Sequence, residues 1–182
     1  HVGIYIVILI GAPSLLGIAF LCLSAMPAAM DDDYNNFPKY SGDERYSHWY
    51  QTGRYCIRYF STPLSFSDAE SACSQKASGS HLLSVHSEQA NDDALAIVLK
   101  FNPSSPRTWL GGQRDGQSND FIWTDGSSWN FENWVPGQPD DASNVESCVE
   151  MNWKNLGEWN DDQCMKRKPF ICAFKRVKGI HF

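Results

Sequence analysis

With 182 residues and a formal charge of −6, the chain has room for one domain and a leader. The acidic balance excludes a nucleic-acid partner, because a phosphate-binding surface needs a basic footprint. Aromatic content is 13 % with seven tryptophans, so one domain can bury a substantial core in a small volume.

Residues 2–30 carry no charge, and 4–23 is almost continuously apolar. This segment is a secretory signal peptide or a membrane anchor, since its length falls between a leader core and a full span and Gly11, Pro13 and Gly17 interrupt it. Both readings place the remainder outside the cell, secreted in the first case and a type II membrane protein with an extracellular domain in the second. Five of the six cysteines (Cys56, Cys73, Cys148, Cys164 and Cys172) follow the apolar segment, and in that compartment they are disulfide candidates. Spacing alone leaves the pairing open.

Residues 31–47 read as a short acidic linker and 48–176 as the folded domain, with 177–182 a C-terminal tail. Polar–apolar alternation predicts a strand over 54–60. Ser65, Asp68 and Glu70 open a capped helix over 65–73, with Phe66, Ala69 and Cys73 on one face. A short apolar strand follows at 81–85, then a second helix from Ser87 to about Lys100, bearing Ala90, Ala94, Ile97, Val98 and Phe101 at helical spacing and ended by Asn102-Pro103. Trp109-Leu110-Gly111-Gly112 reads as a buried strand with a bulge, 116–119 as a turn, and 121–123 as another strand. The segment 124–147 is long and rich in Gly, Asn, Asp, Ser and Trp, and an irregular stretch of that length in a compact domain is usually functional. Three strands close the domain, at 148–153, 158–160 and 169–174. The basic residues Lys166, Arg167, Lys168, Lys175, Arg176 and Lys178 read as a solvated edge. Two helices and about seven short strands make an α+β domain.

Chemistry is concentrated in 138–164. Gln138-Pro139-Asp140, Glu146 before Cys148, and Asn160-Asp161 after Trp159 supply two amides and three carboxylates. All five present oxygen, the ligand set of a hard cation such as Ca²⁺ and not of zinc or copper. No catalytic arrangement stands out. His48, His81 and His86 have no matched nucleophile or metal-ligand spacing, and there is no phosphate-binding glycine loop or paired-cysteine zinc motif, so the chain does not read as an enzyme.

From about residue 49 to 175 these features resemble the C-type lectin domain family. The residues that carry the resemblance are the Cys73 helix, Trp109-Leu110-Gly111, Gln138-Pro139-Asp140, Trp159-Asn160-Asp161 and Phe170-Ile171-Cys172. The style, with its short acidic linker, is similar to secreted fish lectins of that family. The resemblance implies a fold of two helices with two small antiparallel sheets and a long calcium-binding loop region, stapled by the disulfides Cys73–Cys172 and Cys148–Cys164. Longer members carry an extra cysteine before the equivalent of Cys56; here that neighbourhood is Glu44-Arg45-Tyr46-Ser47, so Cys56 is read either as the link of a disulfide-bonded homo-oligomer or as a buried thiol.

The resemblance further implies one Ca²⁺ held by Gln138, Asp140, Glu146, Asn160 and Asp161, with the Asp161 carbonyl as a sixth ligand and a cis peptide before Pro139. The same five side chains would hold two vicinal sugar hydroxyls. A Gln-Pro-Asp order goes with galactose-type sugars and Glu-Pro-Asn with mannose-type ones, so glycans with galactose-type termini are the implied partners, in innate immune recognition. A stacking Trp shortly after the Asp is missing, since Asp141-Ala142-Ser143-Asn144-Val145 follows; Trp134 and Trp153 read as core packing. Arg114 stands where a second calcium would need an acid, and Ser147 replaces another acidic ligand, which leaves one calcium. The alternatives are a receptor or secreted module that binds a protein ligand, or an ice-binding protein, against which the cysteine count weighs.

Overall fold

The computed structural model describes residues 48–175. The expected leader or anchor (1–30), the linker (31–47) and the tail (177–182) lie outside the described residues. Among the described residues no helix is long and apolar enough to cross a membrane.

The chain runs β1 (Tyr50–Thr52), β2 (Tyr55–Leu64), α1 (Phe66–Lys76), β3 (His81–Leu82), α2 (Glu88–Phe101), β4 (Thr108–Arg114), β5 (Phe121–Trp123), a short 3₁₀ turn (Ala142–Asn144), β6 (Cys148–Met151), β7 (Trp159–Asp162) and β8 (Lys168–Lys175). The α+β reading holds. Both helices begin where their caps were read: Ser65 Oγ accepts from Asp68 N at 3.3 Å and Ser87 Oγ from Ala90 N at 3.2 Å. Strand β1 is the element the alternation pattern did not mark, and it pairs with β2 through Tyr50–Ile57.

One antiparallel group joins β1, β2, β8 and β3, and another joins β5, β4, β6 and β7. A single parallel contact, Trp109 with Phe170, fuses the two expected sheets into one continuous eight-stranded sheet. Side chains alternate across a strand, so each strand feeds both faces. Leu110 and Ile171 join the core under α2, with Ala94, Ile97, Val98, Val149 and Trp159. Their neighbours Trp109, Phe170 and Cys172 join the core under α1, with Phe66, Ala69 and Cys73. Each helix covers one face. Phe101 departs from its predicted place, being 49 % exposed, with its ring against Tyr50 and Tyr59 at centroid distances of 5.7 and 6.3 Å.

Both implied disulfides are present. Cys73–Cys172 fastens α1 to β8, and Cys148–Cys164 closes the β6–β7 hairpin over a sequence separation of 16. Cys56 is 4 % exposed and lies in the α1-side core, on a strand paired on both edges by β1 and β8. The thiol is therefore not presented at the surface as an interchain disulfide would need.

At Gly111, β4 runs close against the backbone of residues 82–83. The Gly111 N–H donates to Leu83 O at 2.8 Å, and a Cβ there would stand 2.6 Å from the Leu82 carbonyl oxygen. Backbone cannot yield as a side chain can. Gly111→Ala is expected to lower stability by about 1–3 kcal/mol, the usual cost of overpacking, in a chemical-denaturation midpoint; an unchanged midpoint contradicts this packing.

Candidate metal and ligand site

Three separate stretches converge at one end of β6 and β7: the loop 136–141, Glu146 just before β6, and Asn160 with Asp161 inside β7. The loop is held by aromatic packing. Trp129 stacks on Trp123 at 4.3 Å, and Trp134 meets Phe121 at 5.0 Å and the buried Trp159 at 5.8 Å. Backbone hydrogen bonds continue the strap: Trp159 N donates to Asn133 O at 2.8 Å, Val135 N to Trp159 O at 2.9 Å, and Gln138 N to Val135 O at 2.9 Å. From the other side, Trp159 Nε1 donates to Asn91 Oδ1 of α2 at 2.7 Å. The tryptophan richness of the segment thus has a physical use, since large rings anchor a loop that has little regular structure of its own. Trp134 packs as expected. Trp153 does not belong to either core cluster; it is half-buried with Lys154 Nζ 4.0 Å from its ring centroid.

The Gln138–Pro139 peptide is cis. Beyond it the chain turns sharply, with Asp141, Ser143 and Asn144 at φ of 45°, 63° and 56°, a region that Asp and Asn tolerate better than most residues. The fully buried Asp161 carboxylate ties this turn to β7. Its Oδ1 accepts from Asp140 N at 3.1 Å and its Oδ2 from Asp141 N at 3.0 Å. Glu146 N donates to Asp141 Oδ1 at 3.0 Å, which closes the ring of loop contacts.

The carboxylates of Asp140, Glu146 and Asp161 offer oxygens that all lie within 4.8 Å of one another. Asp140 is exposed, Glu146 half-buried and Asp161 buried, so the cluster opens on the surface and is rooted in the core. The two amides each hydrogen-bond to the backbone of a cluster residue. Gln138 Oε1 accepts from Asp140 N at 3.1 Å, and buried Asn160 spends its Nδ2 on Glu150 Oε1 at 2.9 Å and on the Asp161 carbonyl at 2.5 Å. That fixes the amide plane and turns Asn160 Oδ1 away from Glu150. The Asp161 carbonyl, read as a sixth ligand, already accepts this Asn160 N–H. Burial comes first, and the charge of Asp162, its hydrogen bond and the charge of Asp161 follow, in pushing the Glu146 carboxyl above the usual glutamate range. Crowded anions of this kind are what a bound cation relieves.

Behind the cluster lies a buried charge network that the sequence reading missed. Glu150 and Asp162, both with fully buried side chains, face Arg107, Lys166 and Lys168. Lys168 Nζ sits 3.0 Å from Glu150 Oε2, contacts Asp162 Oδ2, and lies 3.8 Å from the Trp109 ring centroid. Burial pushes the Asp162 carboxyl up, but hydrogen bonds from Lys166 and Lys168 reverse that and bring it to about 2. The late basic run is therefore not simply a solvated edge: Lys168 is 5 % exposed and carries the centre of this network. The sequence does hold a signal, a second carboxylate directly after Asp161 beside an oversupply of lysines, but only the fold pairs them.

Comparison with known proteins fits this architecture. The family model for the Lectin C-type domain matches residues 62–174, and the chain belongs to that family. It is 37 % identical over 117 residues to a lectin of Pleurodeles waltl, covering 64 % of this chain and 68 % of that one. It is 31 % identical over 125 residues to the galactose-specific lectin nattectin of Thalassophryne nattereri, covering 69 % and 77 %. Among solved structures it is similar to the C-type lectin CEL-I from Cucumaria echinata, with a TM-score of 0.66 and 27 % identity over 70 % of this chain and 94 % of that one. It is also similar to the herring type II antifreeze protein, at 0.65 and 25 % over 72 % and 98 %.

Removing the central cation of the buried network should cost most. Lys168→Met is expected to lower unfolding free energy by about 3–5 kcal/mol, while Lys166→Met, at a half-exposed site, costs less than about 1 kcal/mol. Equal losses in urea unfolding would contradict the ranking.

Proposed function

We propose that the chain binds one Ca²⁺ through Gln138, Asp140, Glu146, Asn160 and Asp161, and through that ion a sugar carrying two vicinal hydroxyls. The observation that supports it most is the meeting of the Asp140, Glu146 and Asp161 carboxylate oxygens within 4.8 Å at the surface. Calcium takes six to eight oxygens, and extracellular modules hold it with dissociation constants of about 10⁻⁴–10⁻³ M. Five side chains leave coordination positions for ligand hydroxyls. Each hydroxyl can also donate to a carboxylate and accept from an amide N–H, so the groups that hold the ion also grip the sugar.

For the sugar itself, the Gln138-Pro139-Asp140 order and the likeness to a galactose-specific lectin favour galactose-type termini. Two features temper affinity. The residues after Asp140 carry no aromatic to stack on the apolar sugar face, and single-site contacts of this size are weak, so avidity would come from oligomers. The secreted form with a role in innate glycan recognition fits the cysteine usage and the acidic charge. A protein ligand bound on the same face is the second reading; it needs no diol and no ion.

A glycan array run with calcium and with chelator separates the two. Galactose-type signals that vanish in chelator are expected, and Gln138→Glu with Asp140→Asn should move preference toward mannose-type glycans. No calcium-dependent glycan signal would sink the lectin reading, and an unchanged preference would show that the triplet does not select the sugar.

A further inference from the structure

Arg114 grips the site from strand β4 with both its backbone and its side chain. Its N–H donates to Ser147 O at 2.7 Å, one residue from Glu146, and its Nη2 donates to Asp161 Oδ2 at 2.8 Å. The side chain is 13 % exposed and Asp161 is 0 % exposed, so little water screens the pair. The guanidinium also lies 4.6 Å from the Phe121 ring centroid, and its Nε is buried with no hydrogen-bond partner among the described residues. A buried guanidinium with an unsatisfied N–H is costly to keep, and ring, backbone and carboxylate together fix where it points.

Asp161 in turn holds the loop. The N–H groups of Asp140 and Asp141 are its two other donors. A buried carboxylate with only two neutral donors leaves its charge uncompensated, which is costly. Arg114 supplies the compensating positive charge at 2.8 Å.

We propose that Arg114 is a positioning residue: it stands in as a resident cation for Asp161, and so keeps the Asp140–Asp141 backbone in its ligand-ready arrangement when no metal is bound. The readiness of the loop for calcium rests on the function proposed above, but the tether itself does not. Without Arg114 the free carboxylate has no fixed counter-charge, and the turn that places Gln138 and Asp140 loses its anchor to β7. With it, ion binding need not organise the loop from scratch, which lowers the ordering cost of binding.

The test is residue-resolved amide hydrogen exchange of the calcium-free protein in chelator. Protection at Asp140 and Asp141, whose N–H groups donate to Asp161, should fall by about tenfold or more in Arg114→Gln, the scale of losing a charge-assisted hydrogen bond, while protection in β8 stays as in wild type. Arg114→Lys keeps a charge without the planar fork and should fall between the two. Unchanged protection at Asp140 and Asp141 in Arg114→Gln overturns the proposal. Should that variant lose β8 protection as well, Arg114→Lys decides: loss confined to Asp140 and Asp141 supports the tether, and wild-type values there overturn it. Calcium titration of the same proteins by calorimetry reads separately, because a wild type that binds no ion would refute the metal site and leave the exchange result standing.

Discussion

The Asp161 carboxylate is the point on which the candidate site depends. It is fully buried at the end of the hairpin that Cys148–Cys164 closes, and it accepts from Arg114, Asp140 N and Asp141 N. An anion in that position must be compensated, and the compensating groups come from two other parts of the chain. Strand β4 supplies the guanidinium, the irregular loop supplies two backbone donors, and β7 supplies the carboxylate. One buried charge thus sets the register between a scaffold strand and a loop that has almost no regular structure.

A second layer of charge supports the first. Glu150 holds Asn160 by its amide nitrogen and is itself held by Arg107 and Lys168, while Asp162 shares those cations and Lys166. Paired charges of this sort contribute modestly to stability compared with an apolar replacement, but they are unforgiving of losing one member. What they add here is orientation: Glu150 fixes the Asn160 amide by its nitrogen. The aromatic strap of Trp123, Trp129, Trp134 and Trp159 does the same for the loop backbone, by packing where hydrogen-bonded ladders are lacking.

Much of this was legible in the sequence. Local signals carried the caps at Ser65 and Ser87, the helix end at Asn102, the buried Trp109 strand and the β5 strand, because each is set by residues close together in the chain. The resemblance to C-type lectins supplied the two disulfides, which spacing alone could not. The five oxygen donors were visible as residue types, and the fold brings the three carboxylates together. Less visible was anything that depends on pairing across the sheet. Lys168 looked like one of several surface lysines until β8 set it beside Glu150 and Asp162, and Arg114 registered only as a missing acid until β4 aimed it at Asp161. Strand β1 was hidden because three residues are too few to show alternation, and Phe101 followed the helical period yet lies where the helix runs out of core to cover.

The most direct test of the account is calcium binding by isothermal titration, comparing the wild type with Glu146→Ala. One ion per chain is expected in the wild type, with a dissociation constant of about 10⁻⁴–10⁻³ M, and a loss of about tenfold or more when a carboxylate ligand is removed. A wild type that shows no binding heat, or a Glu146→Ala protein that binds as tightly as the wild type, would contradict it.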